Sequence, residues 1–265
     1  MRPFSPPIVA WNRDFGKILP ILFPMTLSLA EDLQNGNMLP LGVGPYFPCR
    51  DGRARRTLGL LSAFEGKEPV MRKVIFMMQV SLDGFFEGPD QDLSWHRVDD
   101  ELHRHFNDEL RTMGAFLDGR VTYELMADFW PTADQDPSSP AAMSEFAGIW
   151  RGMPKIVYSR TLSSAGWNTE VVHDVVAEDV ARLKEQPGGD LALGGADLAA
   201  SFRRLGLIDE YRLYVHPVLI GRGKLLFRET DATTPLRLLE SRTFSNGVVL
   251  LRYSVEPDTG HAEGR

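Results

Sequence analysis

Apolar residues recur in two alternating rhythms from residue 71 onward. Residues 74–80 form a short run of β-forming side chains that ends at Ser81-Leu82-Asp83-Gly84, which predicts a buried strand leaving through a turn. Val98, Leu102, Phe106 and Leu110 then repeat every four positions, which predicts an amphipathic helix over 98–112. A strand is expected at 115–118. At Gly119-Arg120 it passes into a helix carrying Val121, Leu125, Met126 and Phe129. Residues 131–140 read as a loop bounded by prolines. Met143, Phe146, Ile149 and Trp150 mark the next helix. Strands are expected at 155–158 and 169–172. A helix bearing Val180 and Leu183 should stop before Pro187-Gly188-Gly189. A strand at 191–193 runs into Gly194-Gly195, followed by a helix with Leu198, Phe202 and Leu205. A long strand over 211–219 and a hairpin over 244–255, turning at Ser245-Asn246-Gly247, complete the chain.

Strands alternating with helices predict an α/β fold with a mainly parallel sheet covered on both faces. The closing strand pair has no helix between its members and predicts an antiparallel edge.

The first 70 residues lack either rhythm and hold half of the 18 prolines. Proline at that density breaks helices and removes ladder donors. The segment reads as a disordered extension, or as upstream sequence translated from an early start codon. The apolar stretch 18–30, closing on Ser28-Leu29-Ala30, offers a secretory signal as an alternative, weakened by Pro20 and Pro24 inside it. A structured accessory segment is the third reading. Met71-Arg72-Lys73 before the first strand looks like a natural chain start, and residues 258–265 read as a flexible tail.

Composition narrows the function. Of the 265 residues, 43% are hydrophobic and 25% charged, the mix of a globular domain. The net charge of −7, with no basic cluster, argues against gripping a nucleic-acid backbone. No apolar run is long enough to span a bilayer, so no membrane role is expected. The single cysteine, Cys49, excludes an intramolecular disulfide and suits a reducing, cytoplasmic compartment.

Two glycine turns follow strands and precede helices: Gly119-Arg120-Val121-Thr122 and Gly194-Gly195-Ala196-Asp197. A helix N-terminus offers unpaired N–H groups and a partial positive charge, and glycine lets an anion approach the backbone. Arg120 could add a charge-assisted contact and Thr122 a hydroxyl. Two such turns suit a dinucleotide pyrophosphate, although each alone is also a common turn into a helix. Ser159-Arg160-Thr161, past another strand, could hold the 2′-phosphate that separates NADP from NAD, or be a solvated turn. Trp95, Phe85 and Phe86 could line a ring-binding cleft or simply pack a core. The six histidines show no metal-ligand spacing, so no metal site is expected. A Gly-x-Ser-x-Gly nucleophile elbow is absent.

Taken in order, Ser81-Leu82-Asp83-Gly84, Gly119 to Glu124, Ser159-Arg160, Gly194 to Leu198, and His216-Pro217-Val218-Leu219-Ile220-Gly221-Arg222-Gly223-Lys224 form a set. That set resembles the dihydrofolate reductase superfamily. More closely it resembles stand-alone bacterial proteins built on the reductase domain of riboflavin biosynthesis, the RibD C-terminal domain. The resemblance covers residues 71–257. It implies a central, mostly parallel sheet, NADPH as cofactor, a small-molecule substrate and a homodimer. It would set Val80 and Ser81 beside the nicotinamide. Gly119, Arg120 and Thr122 would hold the diphosphate or the adenosine phosphate, and Ser159 and Arg160 would flank the adenosine. Gly194, Gly195, Ala196 and Asp197 would bind the pyrophosphate. Trp95 falls on the family's Ser-Trp pair. Asp83, with Ser81, is the expected group for substrate orientation or proton delivery.

The sequence also departs from that family. Leu193 stands where a glutamate is common, Met77 or Met78 where a lysine is, and Met126 where an aspartate is. Each buried polar ligand group left without a partner costs about 1–3 kcal/mol. The expectation is therefore an NADPH-dependent reductase acting on a small heterocyclic or other planar acceptor. The alternatives are the 5-amino-6-(5-phosphoribosylamino)uracil reductase of riboflavin biosynthesis and a non-catalytic nucleotide-binding module. Asp99, Asp100 and Glu101 at the first helix could assist protonation or merely complement the helix dipole.

Overall fold

The computed structural model describes residues 71–227 and 233–256. The expectations for residues 1–70 and for the C-terminal tail lie outside them. Eight strands form one sheet in the order β5-β4-β3-β6-β1-β7-β10-β9. In chain order these are β1 (Val74–Ser81), β3 (Ala115–Gly119), β4 (Lys155–Tyr158), β5 (Thr169–Val172), β6 (Leu191–Leu193), β7 (Glu210–His216), β9 (Leu236–Thr243) and β10 (Val249–Val255). All pairings from β5 to β7 are parallel, while β10 runs antiparallel to both β7 and β9. Among the described residues five α-helices accompany the sheet: α1 (Asp100–Arg111), α2 (Arg120–Phe129), α3 (Ala141–Gly152), α4 (Ala177–Glu185) and α5 (Ala196–Arg204).

The pleat sorts each central strand into two cores. On one face Ile75 and Met77 of β1 and Phe116 of β3 pack with Leu102, Phe106 and Leu110 of α1 and with Phe146 and Trp150 of α3. On the other face Val74 and Phe76, Leu117, and Leu191 and Leu193 pack with Val180 of α4 and Phe202 of α5. A strand buried on both faces has no polar side, which is why these strands read as continuous apolar runs. The α1 start is fixed locally: the Asp99 side chain accepts from Leu102 N at 2.9 Å.

Three expectations need correction. The long strand ends at His216, because Pro217 has no N–H to continue the ladder. The hairpin turns where expected, with Gly247 at φ 85°, but its first strand is β9, upstream of the predicted segment. β9 is the sheet's edge and almost wholly exposed, so its sequence carries no burial period. A second, two-stranded sheet joins β2 (Phe85–Glu87) to β8 (Lys224–Leu225) and was not foreseen. Gly223 next to it has φ 144°, and a Cβ there would lie 2.0 Å from Glu87 O. No helix among the described residues is long and apolar enough to cross a membrane.

Candidate active site

The carboxyl ends of β1, β3, β4 and β6 open on one cleft of about 520 Å³. Helices α2 and α5 point their N-termini into it, since their N-cap residues Gly119 and Gly195 both line it. Neither cap makes a side-chain hydrogen bond. The first-turn N–H groups of both helices therefore have no capping oxygen of their own. The two turns touch: a Cβ on Gly119 would lie 3.9 Å from Leu198 Cβ, and one on Gly195 would lie 2.7 Å from Thr122 Oγ1. Gly195 has φ 82°, a conformation that glycine adopts without strain. Two adjacent positive helix ends facing a cavity make an anion cradle.

The structure brings eight of the predicted cofactor residues to this cleft. Gly119, Arg120 and Thr122 line it from α2, Gly195, Ala196 and Asp197 from α5, and Ser159 and Arg160 from the loop after β4. Gly194 stands behind them, because a Cβ there would lie 2.5 Å from Asp118 Oδ1. Arg120 pairs with Glu124 at 2.6 Å, and Arg160 Nε with Asp174 at 2.8 Å, all four side chains being well exposed. Exposed pairs contribute little, about 0–1 kcal/mol, so either guanidinium can exchange its carboxylate for a phosphate at small cost. Ser159 Oγ accepts from Leu162 N at 2.9 Å and from Thr161 N at 3.2 Å, which shapes the turn. Asp197 sits in the first turn of α5, where the helix dipole favours a carboxylate.

Four predicted residues are placed elsewhere. Val80 is buried in the core on the α4–α5 face. Ser81 Oγ donates to Asp83 Oδ1 at 2.6 Å and accepts from Phe85 N at 3.0 Å. Asp83 also accepts from Gly221 N at 2.7 Å and Ile220 N at 3.1 Å. The pair ties the β1 turn to the loop after β7. The Ser81 hydroxyl, followed by the Gly221 and Ile220 amides, holds the Asp83 carboxyl below its ordinary range. A carboxylate with a depressed pKa adds stability above its unfolded value of about 3.9, and that stability fades as the pH falls. Asp83→Ala should accordingly lower the melting temperature at pH 7, and by less as the pH falls through the lowered pKa, with NADPH affinity within twofold of wild type in calorimetry. Trp95 donates from Nε1 to Asp92 O at 3.2 Å and packs its ring against His96, outside the lining.

The acids of α1 also have structural partners: Asp99 caps the helix, Asp100 pairs with Arg104 at 3.1 Å, and Glu101 accepts from Ser245 N at 3.0 Å. Met77, Met126 and Leu193 lie in the cores, and Met78 lines the cleft. Sequence reasoning missed Gln79, His96 and Lys224, which also line it. No spacing rule marks them, because β1, the loop before α1 and β8 meet only in the fold. Lys224 pairs with Glu87 at 2.5 Å across the β2–β8 sheet. Among the described residues no group of three or more His, Cys, Asp or Glu side chains could hold a metal ion.

Beneath the cradle lies Asp118, 4% exposed. Burial pushes its carboxyl up to about 7 against the opposing pull of Lys155. Lys155, itself lowered by burial to about 8, donates to Trp150 O, Met153 O and Trp167 O.

A mostly parallel α/β domain with a cleft at its strand carboxyl ends is an arrangement in which open α/β sheets commonly bind ligands. Residues 72–250 match the RibD C-terminal domain family, and the chain belongs to that family. The uncharacterized protein YyaP of Bacillus subtilis strain 168 is 36% identical over 183 residues, covering 69% of this chain and 94% of that protein. YwjB of the same strain, also uncharacterized, is 28% identical over 184 residues, covering 68% and 96%. Among solved structures, a Shewanella sp. PV-4 protein named for riboflavin biosynthesis is 19% identical with a TM-score of 0.54, covering 70% of this chain and 99% of that one. Acinetobacter baumannii RibD is 17% identical with a TM-score of 0.51, covering 72% and 60%.

Proposed function

We propose that this chain is an NADPH-dependent reductase for a small planar acceptor without a phosphoribosyl group. The observation that carries this reading is the pair of uncapped helix N-termini, at Gly119 and Gly195, opening on one cleft. The residues fit a dinucleotide: the α2 and α5 amides with Thr122 would hold the pyrophosphate, and Arg160 with Thr161 would hold a 2′-phosphate. Bound there, the nicotinamide would supply a hydride, and the protein would supply position and electrostatics. Met78, Leu93 and Phe86 give the cleft apolar walls on which a ring can lie.

The substrate argument rests on the positions where apolar residues replace polar ones. Met77 or Met78, Met126 and Leu193 put hydrocarbon where the riboflavin-pathway relatives are expected to carry a lysine, an aspartate and a glutamate, and of these four residues Met78 lines the cleft. Against Met78 a ribosylaminopyrimidine phosphate would lack the polar partner that a lysine would give it.

Calorimetry with NADPH on the full chain tests the cofactor, and a panel of heterocyclic and quinone acceptors tests turnover. Arg120→Ala should weaken NADPH binding by about 1–3 kcal/mol if the guanidinium turns from Glu124 to a phosphate. Rapid oxidation of NADPH by 5-amino-6-(5-phosphoribosylamino)uracil would overturn the substrate argument. Binding without turnover of any acceptor would favour a non-catalytic nucleotide-binding module.

A further inference from the structure

We propose that Asp118 is the proton-taking residue of the anion cradle: a diphosphate that settles between the turns at Gly119 and Gly195 binds together with one proton, which the Asp118 carboxylate receives from solvent. The proposal rests on the reading that a diphosphate enters this cleft. It needs neither hydride transfer nor a particular acceptor.

Asp118 stands on β3 one residue before Gly119, the N-cap of α2. Its side chain reaches the other turn, because a Cβ on Gly194 would lie 2.5 Å from Asp118 Oδ1 and 3.7 Å from Thr122 Cγ2. Gly194 in turn precedes Gly195, the N-cap of α5. The carboxyl therefore lies between the two backbone bends, while Gly119, Thr122 and Gly195 line the cleft above it. At 4% exposure it has almost no contact with water that could screen its charge.

The two helix ends offer one positive field. A bound diphosphate and an ionised Asp118 would both draw on it, and each would repel the other through a medium that screens poorly. A carboxylate beside a like charge is pushed toward its neutral form. Burial has already brought this carboxyl up to about 7, so a further push from the anion protonates it at neutral pH. The linkage is reciprocal: the anion tightens the hold on the proton, and the proton tightens the hold on the anion by the same factor. Affinity should then fall as the pH rises through 7 and level off once the carboxyl is ionised in both states.

The charges around Asp118 leave it as the group poised to respond. Lys155 faces it from β4, keeps its own proton up to about 8, and stands at the amino end of that strand, tied to three carbonyls. The adjacent β6, and β1 beyond it, carry no ionisable side chain. On α2, Arg120 pairs with Glu124 at the surface and the Tyr123 hydroxyl donates to Gly166 O. On α5, Asp197 is exposed in the first turn.

Calorimetry of ADP-ribose binding to the full chain tests the coupling. ADP-ribose carries the diphosphate bridge without a nicotinamide, and that bridge does not titrate near neutral pH. In buffers of different ionisation enthalpy at pH 7.5, wild type should take up about half a proton or more per ADP-ribose bound. Its affinity should fall at least fivefold between pH 6 and pH 8.5. Asp118→Asn should take up no proton and hold its affinity within twofold over that range. It should match wild type at pH 6 and bind at least fivefold more tightly at pH 8.5, a pH-dependent gain that a merely structural role would not produce. The carboxyl 13C shift of Asp118, which needs no variant, should titrate near pH 7 in the free protein and at higher pH with ADP-ribose bound. Absent binding, a wild-type affinity that is flat with pH, or a pH dependence that survives in Asp118→Asn would overturn the proposal. Proton-linked ADP-ribose binding in a protein that oxidises NADPH with no acceptor would keep the coupling and remove the reductase reading.

Discussion

Replacing Gly195 by alanine should lower NADPH affinity at least thirtyfold and also lower the melting temperature. Two effects act together. At φ 82° and ψ 127° a residue with a Cβ is strained, by about 1–3 kcal/mol. The new Cβ would also lie 2.7 Å from Thr122 Oγ1, so either Thr122 or the first turn of α5 must move. Both movements open the contact between the two helix N-termini, and a bridging diphosphate needs both ends at once. The expected outcome is a folded protein, judged by circular dichroism, with a depressed melting temperature and weak calorimetric binding. A folded variant with affinity within twofold of wild type would show that the anion does not rest on this turn. Gly119→Ala is the internal comparison. Its Cβ would meet only Leu198 at 3.9 Å, an ordinary contact, so its stability should change little.

Asp118→Asn should make the protein more stable at pH 8 and leave it nearly unchanged at pH 4. The carboxyl of Asp118 ionises near 7 in the fold, against 3.8 for the ordinary group. The folded state therefore holds its proton more tightly than the unfolded chain does. Between these two values the unfolded state binds fewer protons, so wild-type stability must fall as the pH rises from about 4 to about 7 and stay low above it. At about 1.4 kcal/mol per pKa unit, the penalty at pH 8 is about 4 kcal/mol. Asparagine has nearly the same shape and no ionisation, so it should escape that penalty. Lys155 is the opposing charge that keeps the shift from being larger, and its three carbonyl partners hold it in place. Urea melts of both proteins at pH 5, 6, 7 and 8 should diverge steadily. Parallel curves would mean that Asp118 is ionised at no unusual cost and that water reaches it.

Several parts of the fold were legible along the chain because the central strands and their helices are local objects. The four-residue rhythm of Val98, Leu102, Phe106 and Leu110 has one physical meaning, and α1 buries the last three of these among the first core. The turns at Gly119 and Gly194-Gly195 were visible for the same reason. β9 was not, because an exposed edge strand has no buried side to impose a period. Nor were β2 and β8, whose pairing depends on a separation of well over a hundred residues and on the unusual φ of Gly223. Ser81 and Asp83 show a second role that a polar strand end can take. Polar residues at a strand end suggested chemistry; in the fold the Ser81 hydroxyl accepts from Phe85 N and donates to Asp83, whose carboxylate accepts from amides of a loop that only folding brings near.

By itself the sequence determined the alternation of strands and helices, the parallel core with its antiparallel edge, and the glycine turns that open α2 and α5. Those features follow from side-chain period and backbone freedom within a few residues. Tertiary structure decided that the two turns touch, that Asp118 is buried beneath them, and that His216 of β7 lies within hydrogen-bond distance of Gln79 of β1. Such properties depend on distances between segments far apart in the chain, and a one-dimensional pattern does not encode distance.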